Sequence, residues 1–144
     1  MLLEIENGTP TKVWSDDGRR KTSLATHWNT PVLHEGHLYA SSGQNSGDAE
    51  LRCIELKTGN VKWKKRGLSR TSVTLIEGHL VVLGEYGDLL LVEATPEEFR
   101  MVTELPETKA NKLVHPCWSE PIVAHGLLVV RGKKNVRCYE LIPR

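Results

Sequence analysis

Two histidines in the first third of the chain have a spacing that could bind a metal. His34 and His37 lie in the segment HEGH, an H-x-x-H pattern that contains Gly36. A zinc site built on this pair would need a third ligand close by. Two later segments repeat the surrounding sequence without repeating the pair, so the pattern favours a turn over a metal site. The equivalent positions hold Ile76 and His79 in the second segment and Ala124 and Leu127 in the third.

Three large side chains occupy one position of the same repeat and could together recognise a ligand. Trp28, Arg70 and Trp118 each lie eight residues before a turn glycine. If this position marks the start of the innermost strand of each unit, the three side chains converge near the mouth of a central channel. Two indoles and a guanidinium suit a sugar, an aromatic group or an anion. The alternative is that the tryptophans only fill space between units.

The elements that must position these residues recur along the chain. Three segments, TPVLHEGHLYAS, VTLIEGHLVVLG and PIVAHGLLVVRG, align on glycines that are 42 and 48 residues apart, and a column of glutamates recurs at spacings of 49, 38 and 47. Polar and apolar residues alternate between Gly and Pro turns, a period typical of β-strands. The aligned residues are Gly36, Gly78 and Gly126, and Glu6, Glu55, Glu93 and Glu140.

Four-stranded antiparallel units that recur about every 40 to 50 residues are typical of propeller blades. The sequence therefore predicts an all-β fold, a partial β-propeller of about three four-stranded antiparallel blades in a single segment, 1–144. The expected blades are 26–65, 69–105 and 115–142, after a partial blade over 1–15. The last blade is expected to lack its outer strand. Only residues 95–101 could form a turn of helix.

Composition narrows the classes of function. The 144 residues can bury a core without disulfides or metals. The 19 Lys+Arg and 18 Asp+Glu give a formal charge of +1, and the one short basic patch is Arg19-Arg20-Lys21, so no nucleic acid partner is expected. No apolar run approaches the roughly 20 residues of a membrane helix. The N-terminus lacks the basic and apolar regions of a signal peptide, so either the protein is cytoplasmic or the chain lacks its natural beginning.

The three cysteines, Cys53, Cys117 and Cys138, do not form a recognisable framework. Their odd number and the lack of C-x-x-C spacing argue against disulfides and against a zinc ribbon. We expect all three to be buried as small hydrophobic residues.

The segment CIELKTGNVKW, residues 53–63, resembles the tryptophan-docking motif of quinoprotein-type, or PQQ-like, β-propeller repeats. Glu55, Thr58, Gly59 and Trp63 match the acid, the Thr-Gly turn and the tryptophan of that motif. The resemblance implies that the tryptophan packs onto the neighbouring blade, where a large aromatic ring with one N–H donor suits the gap between sheets. Two other units match in part. Glu6, Thr9 and Trp14 match with Pro10 in place of the glycine, and the second unit keeps Glu93 but has Pro96, Glu97 and Met101 in place of Thr, Gly and Trp.

The resemblance to the C-terminal part of such a propeller implies two classes of function. The first is a non-catalytic scaffold or binding module for a protein or carbohydrate partner, without a cofactor; the family is often exported. The alternative is a fragment of a pyrroloquinoline quinone- and calcium-dependent dehydrogenase, which uses an aspartate base and commonly an adjacent cysteine pair. No Cys-Cys dipeptide occurs, and the candidate acids lie in turn sequences where Asp is favoured for local reasons. These acids are Asp16, Asp17, Asp48 and Asp88.

Three blades are too few to close a ring, because propellers need about four to eight. An open arc would expose apolar faces and unpaired strand edges. We therefore expect the chain to associate, either as a homo-oligomer or with the remaining blades of a longer propeller.

Overall fold

The computed structural model describes residues 1–16 and 22–141 and contains thirteen β-strands in these ranges. No helix occurs in the described residues, and 96–98 form bends. The prediction of an all-β fold is confirmed. The basic patch at 19–21 and Asp17 lie outside the described residues. The strands are β1 (Leu2–Glu6), β2 (Thr9–Trp14), β3 (Val32–His34), β4 (His37–Ser42), β5 (Glu50–Glu55), β6 (Val61–Arg66), β7 (Thr71–Ile76), β8 (His79–Gly84), β9 (Leu89–Glu93), β10 (Met101–Leu105), β11 (Ile122–Ala124), β12 (Leu127–Arg131) and β13 (Val136–Glu140).

The strands form four separate antiparallel sheets in which sequence neighbours pair. We call β1–β2 the N-terminal hairpin, β3–β6 the first sheet, β7–β10 the second sheet and β11–β13 the third sheet. The inner strand of the second sheet, β7, contacts both β3 and β11. The inner strands of the three sheets therefore face a common centre, the arrangement expected of a partial propeller.

The turn glycines have the backbone conformation that the tight hairpins require. In each of the three larger sheets, a two-residue turn joins the first two strands, and both of its residues have positive φ. The φ values are 44° and 76° at Glu35 and Gly36, and 44° and 74° at Glu77 and Gly78. Such turns match the twist of the strands that they join, and glycine adopts this conformation without penalty. His34 ends β3 and His37 begins β4, so the two residues flank this turn, and His37 Nδ1 lies 2.9 Å from the Glu35 carbonyl oxygen. The third turn, His125-Gly126, has φ values of 50° and 74°.

Two apolar cores lie between successive sheets. The first joins the first and second sheets and includes Tyr39, Cys53 and Trp63 from one side and Leu80 and Val92 from the other. The second joins the second and third sheets and includes Leu83, Leu113 and Val130. The middle strands carry buried groups on both faces, since Leu51, Cys53 and Ile54 of β5 are all inaccessible. Stacking of one sheet on the next thus forms the core.

The N-terminal hairpin packs onto the first sheet through one tryptophan. Trp14 Nε1 donates a hydrogen bond of 2.8 Å to the Leu56 carbonyl oxygen. The turn of the hairpin lies at Asn7-Gly8, where both residues have positive φ, and Glu6 pairs with Thr9. The match of Thr9-Pro10 to the Thr-Gly turn is therefore wrong, because Asn-Gly forms the tighter turn two residues earlier.

Two further details differ from the expectations. Cys53 and Cys117 are buried, but Cys138 is exposed because it lies beside Val129 on the face of the third sheet that is turned away from the second core. In the first sheet Trp63 pairs with Cys53, and the residue equivalent to Cys53 in the second sheet is Leu91. Leu91 pairs with Thr103 and not with Met101. A longer connection before β10 shifts the register, so Met101 does not occupy the tryptophan position.

The described residues contain no helix with the length and apolar character needed to cross a membrane.

Candidate functional site

The tryptophan-docking residues meet at the turn between β5 and β6. The Thr58 hydroxyl donates to Glu55 Oε2 over 2.5 Å and accepts from the Asn60 N–H over 3.1 Å. Gly59 has φ of +73° and its backbone lies against the ring of Trp14. Trp63 leaves this turn, is 8% exposed and donates from Nε1 to the Thr95 carbonyl oxygen over 2.8 Å. This cluster fastens the first sheet to the second.

The glutamate column marks equivalent ends of strands. Glu55, Glu93 and Glu140 each end the third strand of a sheet, whereas Glu6 ends β1 at the tight turn of the N-terminal hairpin. The residue that follows Glu55, Glu93 or Glu140 donates its backbone N–H to the carbonyl oxygen of the turn glycine in the same sheet. These hydrogen bonds measure 2.9, 2.9 and 2.7 Å, respectively. These positions therefore close the hairpins and do not gather at one site.

Trp28, Arg70 and Trp118 converge, although 90 residues separate the two tryptophans. Their ring centroids lie 5.3 Å apart with an interplanar angle of 39°. Arg70 Cζ lies 4.4 Å from the Trp28 ring centroid and 5.9 Å from that of Trp118. The arrangement arises because each residue comes just before the inner strand of one sheet. We call this group the mouth cluster.

A buried carboxylate that the sequence did not reveal lies beneath the mouth cluster. Glu85 has no accessible surface and follows β8 directly. Arg70 Nη2 lies 2.6 Å from Glu85 Oε2, and the Ser46 hydroxyl donates to Oε1. Burial alone would raise the pKa of Glu85, but hydrogen bonds from Arg70 and Ser46 and the charge of Arg70 lower it to about 2. The carboxylate is therefore ionised and fixes the position of the guanidinium.

The polar loop between β4 and β5, residues 43–49, completes this arrangement. Gln44 offers its carbonyl oxygen to Arg70 Nη1 over 3.1 Å, and Ser46 contacts Glu85. Trp118 Nε1 lies 3.5 Å from Glu85 Oε2, at the limit of a hydrogen bond. The only local signal for Glu85 is a single acid directly after the apolar run HLVVLG.

Polar contacts hold the first and third sheets together beside the mouth cluster. The Thr30 N–H donates to Glu120 Oε1 over 3.1 Å. On the second sheet, the Thr74 hydroxyl donates to the Pro121 carbonyl oxygen over 2.6 Å. These two hydrogen bonds join the three sheets close to their inner strands, and they hold the backbone beside the mouth cluster in place.

Trp118 presents its indole to solvent beside an open cleft. The residue is 51% exposed, although Arg70 beneath it has only 17% of its side chain accessible. The cleft has a volume of about 580 Å³ and combines the apolar walls of Trp118 and Pro116 with donors from Ser119, Arg131 and Lys133. An apolar platform with polar groups around it is the usual composition of a small-ligand site.

Two of the candidate acids for quinone chemistry accept local backbone hydrogen bonds. Asp16 accepts backbone hydrogen bonds from Ser23 and Leu24, and Asp48 accepts from the Asn45 N–H over 2.9 Å. Asp88 lies in the turn after β8, against Gly84. The described residues contain no group of three or more His, Cys, Asp or Glu side chains arranged for a metal ion. The described part of the chain therefore does not fit a calcium-bound quinone.

No known protein family matches the chain, and no curated protein matches it.

Proposed function

We propose that the protein is a non-catalytic, PQQ-like β-propeller segment that acts as a binding module, with the mouth cluster as its ligand site. The observation that carries the proposal is the solvent-exposed indole of Trp118, held at 5.3 Å from Trp28 over a buried ion pair. A half-exposed tryptophan on a fixed support is suited to stacking on a ligand because little conformational freedom is lost on binding.

The platform suits a carbohydrate, either neutral or with an acidic group that Arg131 and Lys133 of the cleft can contact. Arg70 directs Nε and Nη2 to Glu85 and Nη1 to the Gln44 carbonyl oxygen. Its charge is balanced by the carboxylate, so the guanidinium adds little attraction for an anion. A sugar can place its apolar face on Trp118 and its hydroxyl groups against the donors that line the cleft. A protein side chain with an apolar face is the second candidate for the same platform.

The dehydrogenase alternative has less support. Two of its candidate acids are engaged in local backbone hydrogen bonds.

A glycan array with neutral and acidic oligosaccharides tests the proposal. We expect the protein to bind a subset of these glycans and Trp118→Ala to lose that binding at unchanged stability, because the side chain is half exposed. Met101→Ala removes a similarly exposed apolar side chain from the second sheet and should leave binding intact. If no glycan binds, or if Trp118→Ala binds as well as the wild type, the carbohydrate proposal is wrong.

We also propose that the chain associates with further polypeptide, as a homo-oligomer or with the remaining blades of a longer propeller. Large apolar side chains are exposed on the outer strands, including Met101, Val102 and Leu105 of β10 and Val136 of β13. Exposed apolar groups next to unpaired strand edges are typical of interaction surfaces. Light scattering at micromolar concentration tests self-association, and a stable monomer of 16.2 kDa would refute the homo-oligomer.

A further inference from the structure

The cleft beside Trp118 has a cationic wall. Arg131 ends β12 and Lys133 follows two residues later, and both exposed residues line the cleft. The described lining residues include these two cations and no carboxylate. The ion pairs within the described part of the chain use other basic residues, namely Arg52, Lys64, Arg66, Arg70, Arg100, Lys112 and His115. The charges of Arg131 and Lys133 are therefore available to a ligand in the cleft.

The turn that carries Lys133 is fixed to the segment that leads to the exposed indole. The Lys133 N–H donates to the Val114 carbonyl oxygen over 2.7 Å, and the Val114 N–H donates to Asn135 Oδ1 over 3.0 Å. Asn135 Nδ2 also donates to the Lys112 carbonyl oxygen over 2.8 Å. The two backbones approach so closely that a Cβ added at Gly132 would lie 2.6 Å from the Val114 carbonyl oxygen. The backbones of the cationic and aromatic walls are therefore held together, so little order has to be imposed when a ligand binds.

The carboxylate beneath the mouth cluster does not cancel the charge of this wall. Glu85 has no accessible surface, and Arg70 Nη2 lies 2.6 Å from its Oε2, so the buried pair is neutral as a whole. Next to the lining residue Ser119, Glu120 accepts the Thr30 N–H over 3.1 Å. Its single carboxylate leaves the two cations of the cleft in excess. The cleft therefore favours a ligand that carries a negative charge.

We infer that the ligand of this cleft is an acidic sugar. Its ring packs its apolar face on Trp118, and its carboxylate or sulfate group is bound by Arg131 and Lys133. The planar guanidinium can donate two parallel hydrogen bonds to such a group, and the ammonium adds a point charge. A simple anion would use the cations alone and leave the exposed indole in water, so the combination indicates a ring and a charge on one ligand. This inference rests on the proposed carbohydrate binding and names the class of sugar.

Pairs of oligosaccharides that share the same rings and differ in charge provide the probes. One pair is an oligogalacturonate and its methyl ester, and the other is a sulfated galactose oligomer and its desulfated form. The ratio of the two affinities within a pair isolates the contribution of the acidic group. By titration calorimetry at low salt, we expect the acidic member of at least one pair to bind at least about tenfold more tightly, because charge-assisted hydrogen bonds are stronger than neutral ones. The ratio should fall as the ionic strength rises.

Glutamine substitutions assign the effect to residues of the cationic wall. Arg131→Gln and Lys133→Gln each keep a polar side chain and remove one charge, so each should reduce the affinity ratio about threefold to tenfold. Lys134→Gln is the matched control, because it removes the same charge from the next position of the turn, which is not among the described lining residues. We expect this control to change the ratio less than about twofold. All three residues are exposed, so the variants should remain folded.

The outcomes separate this inference from the proposed function. A preference for the acidic member that Arg131→Gln or Lys133→Gln reduces and Lys134→Gln does not supports both. No binding of the four probes, equal binding within each pair, or an equal effect of all three substitutions overturns the acidic-sugar inference, and carbohydrate binding is then judged by the glycan array alone. If no glycan of the array binds either, both are wrong. A preference within one pair only identifies the bound group as a carboxylate or as a sulfate.

Discussion

Replacement of Arg70 by methionine tests the central electrostatic feature of the mouth cluster. The change retains an unbranched apolar stem over Trp28 and removes the guanidinium. Glu85, which has no accessible surface, then loses the hydrogen bonds from Arg70 Nε and Nη2. Breaking a buried pair in this way typically lowers the free energy of unfolding by about 3 to 5 kcal/mol, because an uncompensated charge remains inside.

The pKa of Glu85 reflects the burial of the carboxylate and all of its partners together, Arg70, Ser46 and Trp118. The folded pKa of about 2 lies below the ordinary value of 4.5. A depressed carboxylate pKa stabilises the fold fully above pH 4.5, and this stabilisation is lost as the pH falls towards 2. The difference corresponds to about 3 kcal/mol, at roughly 1.4 kcal/mol for each pH unit. The advantage of the wild type over Glu85→Gln should therefore shrink by about this amount between pH 5 and pH 2.

Urea denaturation followed by tryptophan fluorescence measures the loss. Arg66→Met is the matched control, since it also removes an arginine from a buried carboxylate, Glu50. Arg66 is 79% exposed and Arg52 remains bonded to Glu50 through Nε and Nη2, so we expect a loss of about 1 kcal/mol or less. Equal losses for the two variants, or a loss below about 1 kcal/mol for Arg70→Met, would refute the reasoning.

Three further experiments, two with substitutions and one with a thiol reagent, test the packing of the sheets. Trp63→Ala should lower the free energy of unfolding by about 3 kcal/mol or more, measured by urea denaturation, and a change within error of zero would mean that the ring is not docked. Gly59→Ala should destabilise by about 1 to 3 kcal/mol more than Gly36→Ala, because both have positive φ but only the added Cβ at 59 meets the Trp14 ring, at 2.9 Å. N-ethylmaleimide should alkylate Cys138 alone in the native protein, since the other two thiols are buried and burial raises their pKa values; early labelling of either, detected by peptide mapping, would contradict the described cores.

Much of the fold could be predicted because its signals are local. The two-residue turns at Gly36, Gly78 and Gly126 appear in the sequence as glycines at a fixed place between apolar runs, and each pairs strands that adjoin in sequence. The convergence of Trp28, Arg70 and Trp118 followed from their common place in the repeat. Residues at the same place in the repeat occupy equivalent places in each sheet, so alignment of the units predicts which of them lie close together.

The rest depends on contacts that are not repeated. Glu85 acquires its role from Ser46 and Arg70, which come from a loop and a strand start of different sheets, and no single segment carries that information. The position of Thr103 depends on the length of the connection before β10, so counting from Glu93 gave Met101. The second sheet covers Cys53, whereas no sheet of the described residues stacks on the face that carries Cys138, although the two cysteines have nearly the same sequence around them.

The pairing of sequence neighbours within every sheet has a consequence for the order of folding. Each hairpin closes a short loop, so individual sheets can form quickly and early. The contacts of Trp28 with Trp118 and of Thr30 with Glu120 close loops of about 90 residues, which makes them entropically unfavourable until the sheets have stacked. The mouth cluster is therefore assembled late, from a first and a third sheet that are already formed. In a stopped-flow experiment the fluorescence of the paired indoles should change in the slowest phase, so the surface proposed to bind ligand would exist only on chains that have completed folding.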